Sequence, residues 1–161
     1  VFREILGGVA GYFAGVPLLV TGMIVTVVLT FASAAIFGEP ESPPSNPILE
    51  MLQSADFVTI ILLVTLATIW APIVEETLFR GAVYRHFRGR AGVLVCAVAT
   101  AFLFAFMHSY GPLMVGPLIA LGVTFALIRE WRGSIIGAMT AHCLHNATIM
   151  CLMLVAMRAM A

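Results

Sequence analysis

The sequence predicts an all-α protein, a polytopic transmembrane bundle of about five spanning helices. Three observations carry that prediction. Of the 161 residues, 61% are apolar and only 10% charged, whereas a soluble domain carries about a quarter charged residues. Long stretches hold no Asp, Glu, Lys or Arg. The short alternating segments of a closed membrane barrel are not visible. A mean hydropathy of +1.08 agrees with the first observation. The eight basic residues are all Arg, and eight acids balance them to a formal net charge of zero. Such a chain has no cationic surplus for a phosphate backbone, so no nucleic-acid partner is expected.

The charge-free stretches are residues 5–37, 57–74, 91–128 and 133–157. A helix rises about 1.5 Å per residue and the hydrocarbon core is about 30 Å thick, so these stretches hold one, one, two and one spans. The third divides at His108-Ser109-Tyr110-Gly111-Pro112, where Gly and Pro interrupt an apolar run.

In the first span Gly7, Gly11 and Gly15 recur every four residues. Small residues at that spacing let another helix approach closely, so this face is expected to pack on a neighbour. The span is too long for a signal-peptide core, and Ala32-Ser33-Ala34 reads as interior sequence rather than a cleavage site. The chain starts on Val1, which suits a trimmed protein or the core of a longer one.

A linker follows at 38–56, carrying Pro40, Pro43, Pro44 and Pro47 with Glu39, Glu41, Glu50 and Asp56. Asn46 before Pro47 resembles an N-cap and a first helical position, predicting a short interfacial helix ahead of span two. Cys96, Cys143 and Cys151 lie in apolar runs without CxxC spacing and read as free thiols. With no internal repeat or low-complexity tract, residues 1–161 read as one membrane-embedded domain. If Arg3 is cytoplasmic, then Arg80 to Arg90 and Arg129 to Arg132 are too, and the acidic linker is outside; seven arginines then obey the positive-inside rule and Arg158 is the exception.

Ionisable groups inside apolar helices are costly and point to function. Here they are Glu75, Glu76 and Arg80, then His108, then His142, His145 and Asn146. A hairpin turn at 89–92 would leave Glu75 and His108 about 21 to 24 Å from the turn, hence at matching depth and able to face each other. A second turn at Arg132-Gly133 would return His142 to the bundle. Neighbouring residues sit 100° apart on a helix, so Glu75 and Glu76 are not expected to share one small cavity. Glu76 and Arg80, an i,i+4 pair in the favourable order, are assigned to each other as a structural ion pair. Glu75 then remains as the carboxylate for general-base work. His142 and Asn146 share a helix face and offer two donors that can converge on one oxygen; the alternative is polar glue between helices. His145 is read as supporting or structural, and His86 as interfacial. Ser109 beside His108 and Cys143 beside His142 point apart on their helices, and no GxSxG elbow exists, so a Ser or Cys protease is disfavoured.

Glu75-Glu76-Thr77-Leu78-Phe79-Arg80-Gly81, Phe104-x-x-x-His108 and His142-x-x-x-Asn146 together resemble the EExxxRG, FxxxH and HxxxN motifs of the CPBP intramembrane proteases. That family includes the Rce1-type CAAX prenyl endopeptidases, the Abi proteins and bacteriocin-processing or immunity proteins. The resemblance covers residues 71–147. It implies a membrane peptidase in which Glu75 and His108 activate water, His142 and Asn146 stabilise the oxyanion, and Glu76 and Arg80 support the site. It also implies a membrane-associated or lipidated peptide substrate, in contact with membrane lipid, and an integral protein of a bacterial or archaeal plasma membrane. Two non-hydrolytic classes stay open: a peptide-binding immunity protein, and a proton-coupled carrier, although the paired broken helices of a carrier are not found.

No cofactor is expected. Zinc on Glu75, His108 and His142 is the alternative, since His₂Glu is a known zinc set. Zincins place their histidines at i and i+4 on one helix, however, whereas these three residues fall on three helices, and an amide beside His142 suits an oxyanion better than a metal.

Overall fold

A computed structural model of the chain describes residues 1–38, 47–108 and 115–160. Those residues form six helices and, among the described residues, no strand. Helix α1 is Phe2–Phe37, α2 is Pro47–Gln53, α3 is Phe57–Arg88, α4 is Val93–Phe106, α5 is Val115–Arg132 and α6 is Ile135–Met160.

Three of them, α1, α3 and α6, are long and apolar enough to cross a membrane. Of the other two expected spans, α4 is a shorter apolar helix of 14 residues and α5 ends in a turn bearing Arg129, Glu130 and Arg132. Helix α3 continues past the charge-free stretch 57–74 to Arg88, as the count from the turn at 89–92 required. Glu76 and Arg80 lie inside the helix, each buried against the other.

Apolar side chains exposed along α1, α3 and α6, such as Phe13, Leu62 and Val155, are the faces that lipid would cover. Proline heads α2, as expected for a first helical position, and the Asn46 cap lies outside the described residues. Asp56 caps α3, its side chain accepting the Thr59 N–H at 2.7 Å.

The small-residue face of α1 packs along α5 and α6. Gly7 lies against Arg132, Gly11 against Ile128 and Gly15 against Thr124, and the stripe extends to Gly22, where a Cβ would stand 2.7 Å from the Gly116 carbonyl oxygen. On the other side of α5, Gly122 meets α4, where a Cβ would stand 2.7 Å from that of Ala101. The core between these helices holds Leu121, Phe125, Ile128, Ala138 and Ala141, flanked by Tyr12 and Leu19. The turn from α5 to α6 passes through Gly133 at φ 64°, a left-handed conformation that glycine adopts without strain.

Ion pairs tie the helix ends together at one end of the bundle. Arg132 bonds Glu4 at 2.8 Å, joining the start of α1 to the end of α5. Arg88 bonds Glu130 at 3.0 Å, joining the ends of α3 and α5. Exposed His86 accepts from Arg90 at 2.9 Å at the same end, in keeping with an interfacial position.

Candidate active site

Helix α3 is not a uniform α-helix. It widens into π-helical turns at Leu66–Trp70 and Thr77–Val83, on either side of Ala71–Glu76. Single π-turns inside α-helices re-aim side chains and occur often at functional sites. The segment between them carries Glu75 and Glu76, and α6 packs against it.

Glu76 is fully buried, and its Oε1 accepts from Arg80 Nη1 at 2.9 Å and from His142 Nδ1 at 2.9 Å. The expected Glu76–Arg80 pair is therefore present, with a third member that i,i+4 spacing could not reveal. Arg80 Nη2 donates to the Gly122 carbonyl at 2.8 Å, and its guanidinium lies 4.7 Å from the Phe104 ring centre and 5.3 Å from that of Phe125. A charge taken out of water is thus held by an anion, a carbonyl and two aromatic faces.

His142 stacks on Phe125, ring centres 4.7 Å apart. Glu76, ion-paired to Arg80, acts as acceptor, so Nδ1 of His142 carries the proton of that bond, and Nε2 is the ring atom turned to Glu75 Oε2 at 3.8 Å. His108 is arranged alike. Its Nδ1 donates to the Phe104 carbonyl at 2.8 Å, since a carbonyl only accepts, and its Nε2 stands 3.9 Å from the same Glu75 Oε2. Phe104 also packs its ring on His108, centres 4.6 Å apart, so this one residue orients the imidazole by both ring and backbone.

Glu75 Oε2 is buried without a hydrogen bond among the described residues, between two imidazoles at distances too long for direct bonds. Those gaps suit a bridging water, which hydrogen-bonds at about 2.7–3.2 Å to each side. The two glutamates reach opposite nitrogens of one imidazole. Only Glu75 of the pair lines the adjoining cavity.

That cavity has a volume of about 580 Å³ and is bordered by all six helices, α4 through Phe104 near its end. Glu75, His108, His142 and Asn146 stand on its wall, and the remaining lining is mostly Leu, Ile and Met, including Met23, Met51, Met150 and Met153. Asn146 donates from Nδ2 to the Ala67 carbonyl at 2.8 Å. Only one of its two amide hydrogens is consumed there. His145 also lines the cavity, packed against Tyr12 with ring centres 6.0 Å apart and with Nδ1 buried and unbonded among the described residues; it makes no hydrogen bond to the four residues above. Ser109 lies outside the described residues.

For zinc, the fit is poor. Bonds of about 2.0–2.1 Å in a tetrahedron place neighbouring donors about 3.3 Å apart, and Glu75 Oε2 stands 3.8 and 3.9 Å from the two nitrogens. Among the described residues no three His, Cys, Asp or Glu side chains converge closely enough to hold a metal ion.

Phe125, Gly122 and the Ala67 carbonyl belong to the site although no spacing motif marks them. The only local signal was Pro72, which disturbs the helix that carries Ala67.

A helical membrane bundle with a Glu/His cluster at the wall of an apolar cavity defines a class: a membrane-embedded protein equipped for chemistry beside lipid. Over residues 57–148 the chain matches the family described as Type II CAAX prenyl endopeptidase Rce1-like. It belongs to that family of CAAX-type intramembrane proteases. Comparisons with curated proteins and with solved structures found no match.

Proposed function

We propose that the protein is a glutamate-dependent intramembrane endopeptidase that needs no metal and cleaves membrane-associated or lipidated peptides. The observation that carries this reading is the position of Glu75 Oε2, 3.9 Å from His108 Nε2 and 3.8 Å from His142 Nε2 at the wall of the cavity. A water bridging Glu75 and His108 gives a proton to that pair as its oxygen attacks the peptide carbonyl. The tetrahedral oxyanion is held by His142 and Asn146. Collapse breaks the C–N bond, and the proton passes to the departing amine.

The tautomers add a condition. With Nδ1–H committed to Glu76, a neutral His142 offers the oxyanion only a lone pair. It donates from Nε2 to the oxyanion only when both ring nitrogens carry a proton. Glu76 thereby supports the reaction through His142 as well as holding Arg80.

A cavity of about 580 Å³ is within the range of sites that enclose small ligands. Its flexible methionine wall suits an apolar chain of variable shape. The test is to incubate wild type and Glu75→Gln with acylated, prenylated and unmodified membrane peptides and follow cleavage by mass spectrometry. Loss of a general base is expected to cost about 10²–10⁴-fold. Cleavage that survives Glu75→Gln at wild-type rate would reject the mechanism, and a peptide bound but never cut by wild type would favour the immunity-type alternative.

A further inference from the structure

The hydrogen bond from Asn146 falls on a main-chain carbonyl, that of Ala67, whose usual donors within the helix are missing. In a regular α-helix the Ala67 carbonyl would accept the Ala71 N–H. Across the first wide turn, however, Ala71 N–H donates one residue further back, to Leu66. In that wider register the next donor, the one for Ala67, would be the N–H of residue 72. Residue 72 is Pro72, fully buried and without an N–H. Both in-helix donors for Ala67 are thus removed, one by the register and one by the side chain. An unpaired carbonyl at this depth is costly, and Asn146 Nδ2 answers it at 2.8 Å.

We infer that Pro72 is a positioning residue for Asn146: by withholding an N–H it keeps the Ala67 carbonyl open, and that carbonyl orients the Asn146 carboxamide so that its second N–H faces the cavity. This rests on the reading of Asn146 as an oxyanion donor, which needs the amide nitrogen on the cavity side. Carboxamides rotate between two similar shapes, and a fixed acceptor selects one of them. A new N–H at position 72 would fill the Ala67 carbonyl in the wide register. If the helix reverted to regular α, Ala71 N–H would fill it instead.

The decisive comparison is between Pro72→Ala and Pro72→lactic acid, installed by nonsense suppression in the full chain. The two share a methyl side chain and the same lost ring, and differ in that the ester has no N–H. The alanine variant is expected to lose at least about tenfold in kcat with KM little changed, below the roughly 10²–10³-fold ceiling for losing one oxyanion donor. The lactic acid variant is expected to stay close to wild type. In an Asn146→Ala background the two should be equal. Side-chain amide resonances of Asn146 in ¹⁵N-labelled protein should move in the alanine variant and hold in the ester.

A second variant covers the case in which Pro72→Ala does not fold. Replacing Thr68 by its α-hydroxy analogue turns the Ala67 carbonyl into a weaker ester acceptor while sparing Pro72, and should also move the Asn146 resonances. If the alanine and lactic acid proteins behave alike in kcat and in those resonances, or if weakening the Ala67 acceptor leaves the resonances in place, the inference is overturned. If wild type cuts no peptide, the protease reading fails, and the resonances alone still decide the role of Pro72.

Discussion

Glu76→Gln separates the structural and the chemical work of the buried glutamate. Glu76 and Arg80 are both fully buried, and one oxygen, Oε1, serves Arg80 and His142 at 2.9 Å each. Glutamine keeps the shape and an acceptor oxygen, so the bond from His142 can persist. What it removes is the negative charge that balances Arg80. Leaving one member of a buried pair uncompensated costs about 3–5 kcal/mol. The Gly122 carbonyl and the Phe104 and Phe125 faces remain, which places the expected loss towards the lower part of that range. Adding Arg80→Met removes the stranded cation, and most of the lost stability should return, because the Gly122 carbonyl lies within a helix that can supply its own donor. The assay is reversible unfolding in mixed micelles for wild type, both single variants and the double variant. If the double variant is as unstable as the two singles summed, the pair is not the anchor described here. If Glu76→Gln keeps full stability and abolishes turnover alone, Glu76 is a chemical group and its role must be exchanged with that of Glu75.

Other expectations follow from separate features. Gly22→Leu should cost about 1–3 kcal/mol through overpacking against Gly116, whereas Gly89→Ala, where a Cβ would meet only the His86 carbonyl oxygen at 3.6 Å, should be nearly silent in the same unfolding assay. If the arginine-rich end is cytoplasmic, an impermeant thiol reagent should label Ser54→Cys and spare Arg90→Cys in intact cells, and the reverse pattern would invert the topology. The Thr59 backbone amide holds the exposed Asp56 carboxyl below its usual range. A depressed value means the cap stabilises at neutral pH and fades as pH falls below about 4; exchange of the Thr59 amide should quicken there and stay unchanged in Asp56→Asn. Elemental analysis of active protein is expected to find no stoichiometric zinc, and one zinc per chain with activity lost to a chelator and restored by zinc would replace the water-activating scheme.

Much of the site was legible because its parts are chemically out of place. A carboxylate or imidazole in an apolar helix stands out against lipid-facing neighbours, and counting rise per residue from the one turn at 89–92 was enough to bring Glu75 opposite His108. The stripe from Gly7 to Gly15 was legible for the same kind of reason, since a run of absent side chains at four-residue spacing has few uses other than close packing. What stayed hidden depends on contacts between distant residues. The bond from His142 to Glu76 spans 66 positions and that from Arg132 to Glu4 spans 128, and no local pattern encodes either.

The wide turns of α3 explain how one helix lines an apolar cavity and also delivers a carboxylate to it. Leu63, Ala67, Ala71 and Glu75 all border the cavity at a constant spacing of four. In a straight α-helix each step of four drifts about 40°, so Glu75 would stand about 120° away from Leu63 and point to another neighbour. The π-turn at Leu66–Trp70 absorbs one residue, equivalent to about 100°, and returns Glu75 to within about 20° of that line. The same extra residue shifts the Ala71 N–H onto Leu66 and so opens the Ala67 carbonyl to Asn146. One local irregularity beside Pro72 therefore sets both where Glu75 points and what Asn146 binds. A variant that straightened this turn should disturb Glu75 and Asn146 together, while Glu76, Arg80 and the remainder of the bundle kept their contacts.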